Sequence, residues 1–81
     1  MLRTLVVEDN VSFRESLITL LGGHYSTMVF EKASSGEEAL DKINQFPPQL
    51  AFVDIHLPGQ NGLQLSKTLR SKSKNTVIVI L

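Results

Sequence analysis

The sequence predicts an α/β fold with a doubly wound parallel sheet, and three observations carry that reading. Short β-branched apolar runs recur along the chain. Segments with helical spacing of apolar residues lie between them, and glycine, proline or capping residues mark each change of period. Alternation of this kind implies parallel strands joined by right-handed crossovers, with helices on both faces.

The strand candidates are Leu2 to Val7, Tyr25 to Lys32, Leu50 to Val53 and Thr76 to Leu81. The first, third and fourth are apolar runs bounded by turn signals, as buried strands are. The second alternates more and suits a sheet edge. The first helix is expected over residues 11–21, where Phe13, Leu17, Leu20 and Leu21 share one face, with Gly22-Gly23 as the stop. The second is expected over 35–46, entered through Ser34 and Glu37 as a capping signature. It buries Ala39, Leu40 and Ile43 and ends at Pro47-Pro48. The third runs over 62–72 behind Asn61 as N-cap and buries Leu63, Leu65 or Ser66, and Leu69. Lys67, Arg70, Lys72 and Lys74 favour the negative end of its dipole and read as a solvated basic face.

Composition narrows the function classes. The 81 residues hold eight basic and eight acidic side chains, so no global field attracts nucleic acid, and direct nucleic-acid binding by this segment is not expected. A hydrophobic share of 42% is that of a soluble domain. The longest apolar run, Val77 to Leu81, is far short of the ~20 residues of a membrane span. Without cysteine, disulfides and thiolate metal sites are excluded. A soluble, cytoplasmic protein without a membrane partner is the expectation.

Ligands of open parallel α/β sheets collect at the carboxyl ends of the strands. Glu8 and Asp9 follow the first strand, and Asp54 closes the third. These strands are neighbours in the doubly wound order, so the three carboxylates converge. Such clustering is unfavourable without a cation, and magnesium suits a site of one or two carboxylates plus phosphate oxygens. Taken singly, Asp9 and Asn10 read more readily as caps of the first helix. Asp54 before Pro58-Gly59 reads equally well as a solvated loop residue. The conjunction favours a site.

Leu5-Val6-Val7-Glu8-Asp9-Asn10 resembles the first strand and acidic pocket of the response-regulator receiver domains of two-component signalling. Phe52 to Leu63, with Asp54, Pro58-Gly59 and Gly62, resembles the family's phosphoacceptor loop. Ser35-Gly36-Glu37-Glu38-Ala39-Leu40 is similar to its second-helix entry. The resemblance runs from residue 2 to residue 81. It implies a flavodoxin-like sheet of strand order 2-1-3-4, with Asp54 as phosphoacceptor. It also implies Mg2+ held by Glu8, Asp9, Asp54 and the main-chain carbonyl of His56. The implied partner is a sensor histidine kinase or phosphotransfer protein, and the implied role is to control an output domain, often a transcriptional one. The His56 side chain is then a surface group, and His24 a solvated loop residue.

Receivers continue past their fourth strand to a Ser or Thr, a fourth helix, a fifth strand with a Lys, and a fifth helix. Residues 1–81 therefore read as the N-terminal portion of one receiver domain, incomplete after Leu81, with a longer natural chain expected. The exposed fourth strand is expected to drive self-association, to a dimer for instance. Two other readings stand beside the signalling one. The first is a receiver-like interaction fragment that is never phosphorylated. The second is a phosphatase of aspartyl-phosphate type, disfavoured because the sequence has no Gly-rich phosphate cradle. Beyond self-phosphorylation from a phosphodonor, no enzymatic activity is expected.

Overall fold

Four apolar runs pair into one parallel sheet. The computed structural model describes residues 1–57 and 60–81. The strands are Leu2–Val7 (β1), Met28–Ala33 (β2), Leu50–Val53 (β3) and, after a two-stranded ribbon, Val77–Ile80 (β6). The ribbon consists of His56–Leu57 (β4) and Gln60–Asn61 (β5), paired antiparallel. The helices are Val11–His24 (α1), Gly36–Gln45 (α2) and Gly62–Lys72 (α3). The sheet order is β2-β1-β3-β6, which is the expected 2-1-3-4 with the ribbon set apart. In register, Val7 lies beside Ala33 on one side and Val53 on the other, and Val53 lies beside Ile80.

Pleating sends alternate residues to opposite faces. Leu5, Val7, Ala51 and Val53 meet Ala39 and Ile43 of α2 and Leu65 and Leu69 of α3 in one buried cluster, with Leu40 and Ile78 packed at its margin. The other face carries α1, all of whose residues are half-buried or exposed. Polar links close the opposite end of the sheet. Thr76 Oγ1 donates to the Pro48 carbonyl at 2.6 Å and accepts from Ser73 Oγ at 2.6 Å, so both buried hydroxyls are satisfied.

Several expected boundaries move, each for a local reason. Gly22-Gly23 does not stop α1, which runs on to His24; His24 is therefore its last residue and not part of a loop. Glycine costs helix about 1 kcal/mol relative to alanine but breaks no hydrogen bond. The helix closes where the Tyr25 N–H donates to Leu21 O at 2.8 Å. Residues 25–27 then turn, with Met28 N–H donating to Tyr25 O at 3.1 Å, so β2 begins at Met28 and not at Tyr25. The cap of α2 lies one residue later than expected. Ser35 Oγ accepts from Glu38 N, and Glu38 Oε1 accepts from Ser34 N at 2.9 Å.

Two helix faces also rotate. Arg14, Leu17, Ile18 and Leu21 line the buried side of α1, whereas Phe13 and Leu20 stay 48% and 59% exposed on its flank. In α3, Leu65 and Leu69 stand four apart and share the buried face. Leu63, two residues from Leu65, points away and is exposed. The ribbon β4–β5 was not expected from the sequence. The Pro58-Gly59 turn that suggested a loop there lies outside the described residues. β6 takes the sheet edge, with Val77, Val79 and Ile80 exposed.

The asymmetry between the two faces makes a stability prediction. Leu65→Ala, at a fully buried position, is expected to cost about 2–5 kcal/mol in urea unfolding. Leu20→Ala, on the exposed flank of α1, is expected to stay within about 0.5 kcal/mol. Equal costs would place the core elsewhere.

Candidate functional site

Main-chain pairing at the carboxyl ends of β1 and β3 builds the site. Past β1, the Glu8 N–H continues the ladder to Ala33 O at 2.9 Å. Past β3, the Asp54 N–H donates to Val7 O at 3.0 Å. Two segments far apart in sequence are thereby locked side by side. One carboxylate oxygen from each of Glu8, Asp9 and Asp54 lies within 4.8 Å of the others. Asn10, Phe13 and Leu81 complete the open cleft around them.

The three acids differ in setting. Glu8 is 6% exposed, Asp54 is half-buried and Asp9 is exposed. Glu8 Oε2 accepts from the Asn10 N–H at 3.2 Å, and Asn10 Oδ1 caps α1 by accepting from the Phe13 N–H at 3.0 Å. The helix-cap reading therefore holds for Asn10, while Asp9 is free to face the cleft. Asp54 Oδ1 accepts from the His56 N–H at 3.0 Å. The imidazole of His56 is exposed, and its main-chain carbonyl lies at the start of β4, two residues past Asp54.

Burial pushes the Glu8 carboxyl above its ordinary value of 4.5. The Asn10 amide pulls the other way, and neighbouring Asp54 and Asp9 raise it again. Three hard oxygen donors converging with one carboxyl held upward in this way fit a small divalent cation, which would relieve both desolvation and repulsion.

With this geometry in place, the likenesses to known proteins are specific. Residues 4–81 match the family model of the response regulator receiver domain. The chain belongs to the response regulator receiver family. It is 40% identical over 99% of its length to the two-component response regulator PhoP of Pseudomonas aeruginosa, covering 35% of that protein. It is 34% identical over 96% of its length to the DNA-binding response regulator MtrA of Mycobacterium leprae, covering 34% of that protein. The chain thus spans about a third of the length of these relatives. Among solved structures, it aligns with the response regulator TrrA of Thermotoga maritima in complex with Mg2+-BeF. The TM-score is 0.88 at 35% identity, over 99% of this chain and 68% of that one. No helix among the described residues of the receiver is long and apolar enough to cross a membrane.

Two residues shape the receiver's site without being singled out as site residues by the sequence reading. A Cβ on Gly62 would stand 2.2 Å from the Asp54 carbonyl oxygen and 2.5 Å from Ile55 Cα. Its own N–H donates to Ile55 O at 3.0 Å. The start of α3 is therefore pressed against the backbone that carries Asp54, and only glycine fits. Its place in the loop motif was the available signal. Arg14 is the other, and no short motif marks it.

Two outcomes follow from the charge and the packing. Glu8 binds its proton more tightly when folded, so its contribution to stability is full below its unfolded value and lost as pH rises through its folded value. Glu8→Gln is accordingly expected to raise the thermal midpoint of the metal-free receiver at pH 7, with the gain fading below about pH 4.5. An unchanged midpoint at pH 7 would show that Glu8 carries no strain. Gly62→Ala is expected to cost upwards of about 2 kcal/mol in chemical unfolding, as backbone overlap at a packed site does. Wild-type stability with an unshifted Asp54 amide resonance would contradict that contact.

Proposed function

We propose that this receiver takes a phosphoryl group onto Asp54 from the phosphohistidine of a sensor kinase or phosphotransfer protein, or from a small phosphodonor. The observation carrying the reading is the convergence of Glu8, Asp9 and Asp54 at the carboxyl ends of adjacent parallel strands. The complex of the relative TrrA with Mg2+-BeF supports the same assignment. Mg2+ would be held by Glu8, Asp9, Asp54 and the main-chain carbonyl of His56. When bound, such an ion offsets the charge of the phosphoryl oxygens and of the clustered carboxylates.

The chain's own residues account for the rest of the chemistry. A carboxylate oxygen of Asp54 attacks phosphorus as the bond to the donor nitrogen or oxygen breaks, and that bond's electron pair leaves with the donor. The product is an acyl phosphate on Asp54. The His56 N–H on Oδ1 holds the carboxylate plane, leaving Oδ2 as the oxygen free to attack. Gly62 lets α3 approach close enough to keep the acceptor loop in place.

The added charge would be read by neighbouring elements and passed to an output in the cytoplasm. A transcriptional output is supported by the likeness to MtrA, named as a DNA-binding response regulator.

Incubation with acetyl phosphate and Mg2+, followed by intact mass, tests the assignment. The wild-type chain is expected to gain one phosphoryl group, and Asp54→Asn none; a chelator is expected to suppress uptake. Stoichiometric incorporation by Asp54→Asn at the wild-type rate would move the acceptor to another residue. Failure of the wild-type chain to take phosphate with Mg2+ would favour the interaction-fragment reading instead.

A further inference from the structure

We propose that Arg14 is a positioning residue for the cation-binding acids, acting through the main-chain carbonyl of Glu8. The inference rests on the reading of Glu8, Asp9 and Asp54 as a divalent-cation site. Arg14 lies one turn into α1, its side chain only 12% exposed, with its guanidinium turned back toward the end of β1. Its Nη1 donates to Glu8 O at 3.2 Å and to Ser34 Oγ at 2.7 Å, and its Nε to Glu15 Oε2 at 3.4 Å.

The Glu8 carbonyl is a telling partner. The Glu8 N–H is taken by Ala33 O and its carboxylate by the Asn10 amide, but the chain leaves the sheet at this residue. The carbonyl therefore loses its place in the ladder just where it stops being a strand residue, and Arg14 supplies the donor. That oxygen also belongs to the peptide joining Glu8 to Asp9. A peptide is planar, so fixing its carbonyl direction fixes the plane from which both acidic side chains depart. One hydrogen bond thereby holds the peptide that carries both ligands.

The other end of the arginine is anchored. Ser34 stands on the β2–α2 loop, its N–H bound by the Glu38 carboxylate, beside the Ser35 cap of α2. Glu15, which accepts the hydrogen bond from Nε, is itself held by Lys32 of β2 at 2.9 Å. The planar guanidinium thus joins the acidic loop to the start of α2 through fixed donor directions, which a flexible ammonium reproduces only in part. Groups that orient metal ligands from behind commonly change affinity when removed, by about 10–100-fold.

A purely structural staple and a positioning residue predict different results. Arg14→Gln, Arg14→Lys and Ser34→Ala are compared by calorimetric Mg2+ titration, metal-free thermal midpoint, and phosphorylation rate at saturating Mg2+. Arg14→Gln is expected to raise the Mg2+ Kd by about tenfold, with the rate at saturating Mg2+ returning toward wild type. Arg14→Lys is expected to recover part of the affinity, and Ser34→Ala, which keeps the arginine but frees its anchor, to show a smaller loss. Lowered midpoints with wild-type Mg2+ Kd in both Arg14→Gln and Arg14→Lys would overturn the proposal. Absence of Mg2+ binding by the wild-type chain would overturn the cation-site reading itself, and is seen before any variant is compared.

Discussion

Three carboxylates, one of them buried, are held together by strand pairing, and the rest of the molecule is built around that constraint. Desolvation of Glu8 and the nearness of Asp54 and Asp9 oppose the arrangement, and solvent-exposed loops would separate to relieve it. Here they cannot, because the Asp54 N–H is tied to Val7 O and the Glu8 N–H to Ala33 O. Behind those bonds lie Val7 and Val53, both fully buried. The sheet's apolar interior therefore holds the acids at close range, and a divalent cation or an added proton relieves what remains.

The two faces of the sheet support this arrangement differently. On the α2–α3 face, close packing of Leu5, Val7, Ile43, Leu65 and Leu69 sets strand register and, through Gly62, the height of the acceptor loop. On the α1 face, Thr4 and Val6 of β1 are fully buried, but no residue of α1 itself is. The Asn10 cap and the Arg14 guanidinium hold the loop between β1 and α1 by directed polar contacts. Apolar packing fixes where the strands lie; hydrogen bonds fix how the acidic side chains leave them. Affinity for a small cation is sensitive to the second of these, since magnesium demands near-ideal oxygen geometry.

Sheet strands, helix order and candidate acids were all legible along the chain, because each depends on local pattern. Apolar runs such as Leu50 to Val53 announce strands, Asn61 announces a helix start, and acids directly after two such runs announce the binding edge. The misread boundaries share a cause. Gly22-Gly23 permits a stop without requiring one, and Ser34 and Ser35 are interchangeable as caps until the backbone chooses. Phe13 and Leu20 have core-like chemistry, yet which flank of α1 meets the sheet depends on the sheet's surface.

Local pattern along the chain sufficed for the fold class and for the acids at two strand ends, since periodicity and strand-end position are written residue by residue; the strand order came with the family resemblance. Which hydrogen bonds hold the acidic loops became visible only with the packed elements in place. The Asp54 loop depends on the closeness of Gly62, and the Glu8–Asp9 peptide on an arginine from the following helix. Contacts of that kind are set by how packed elements approach in space, and no spacing along a single chain encodes the approach.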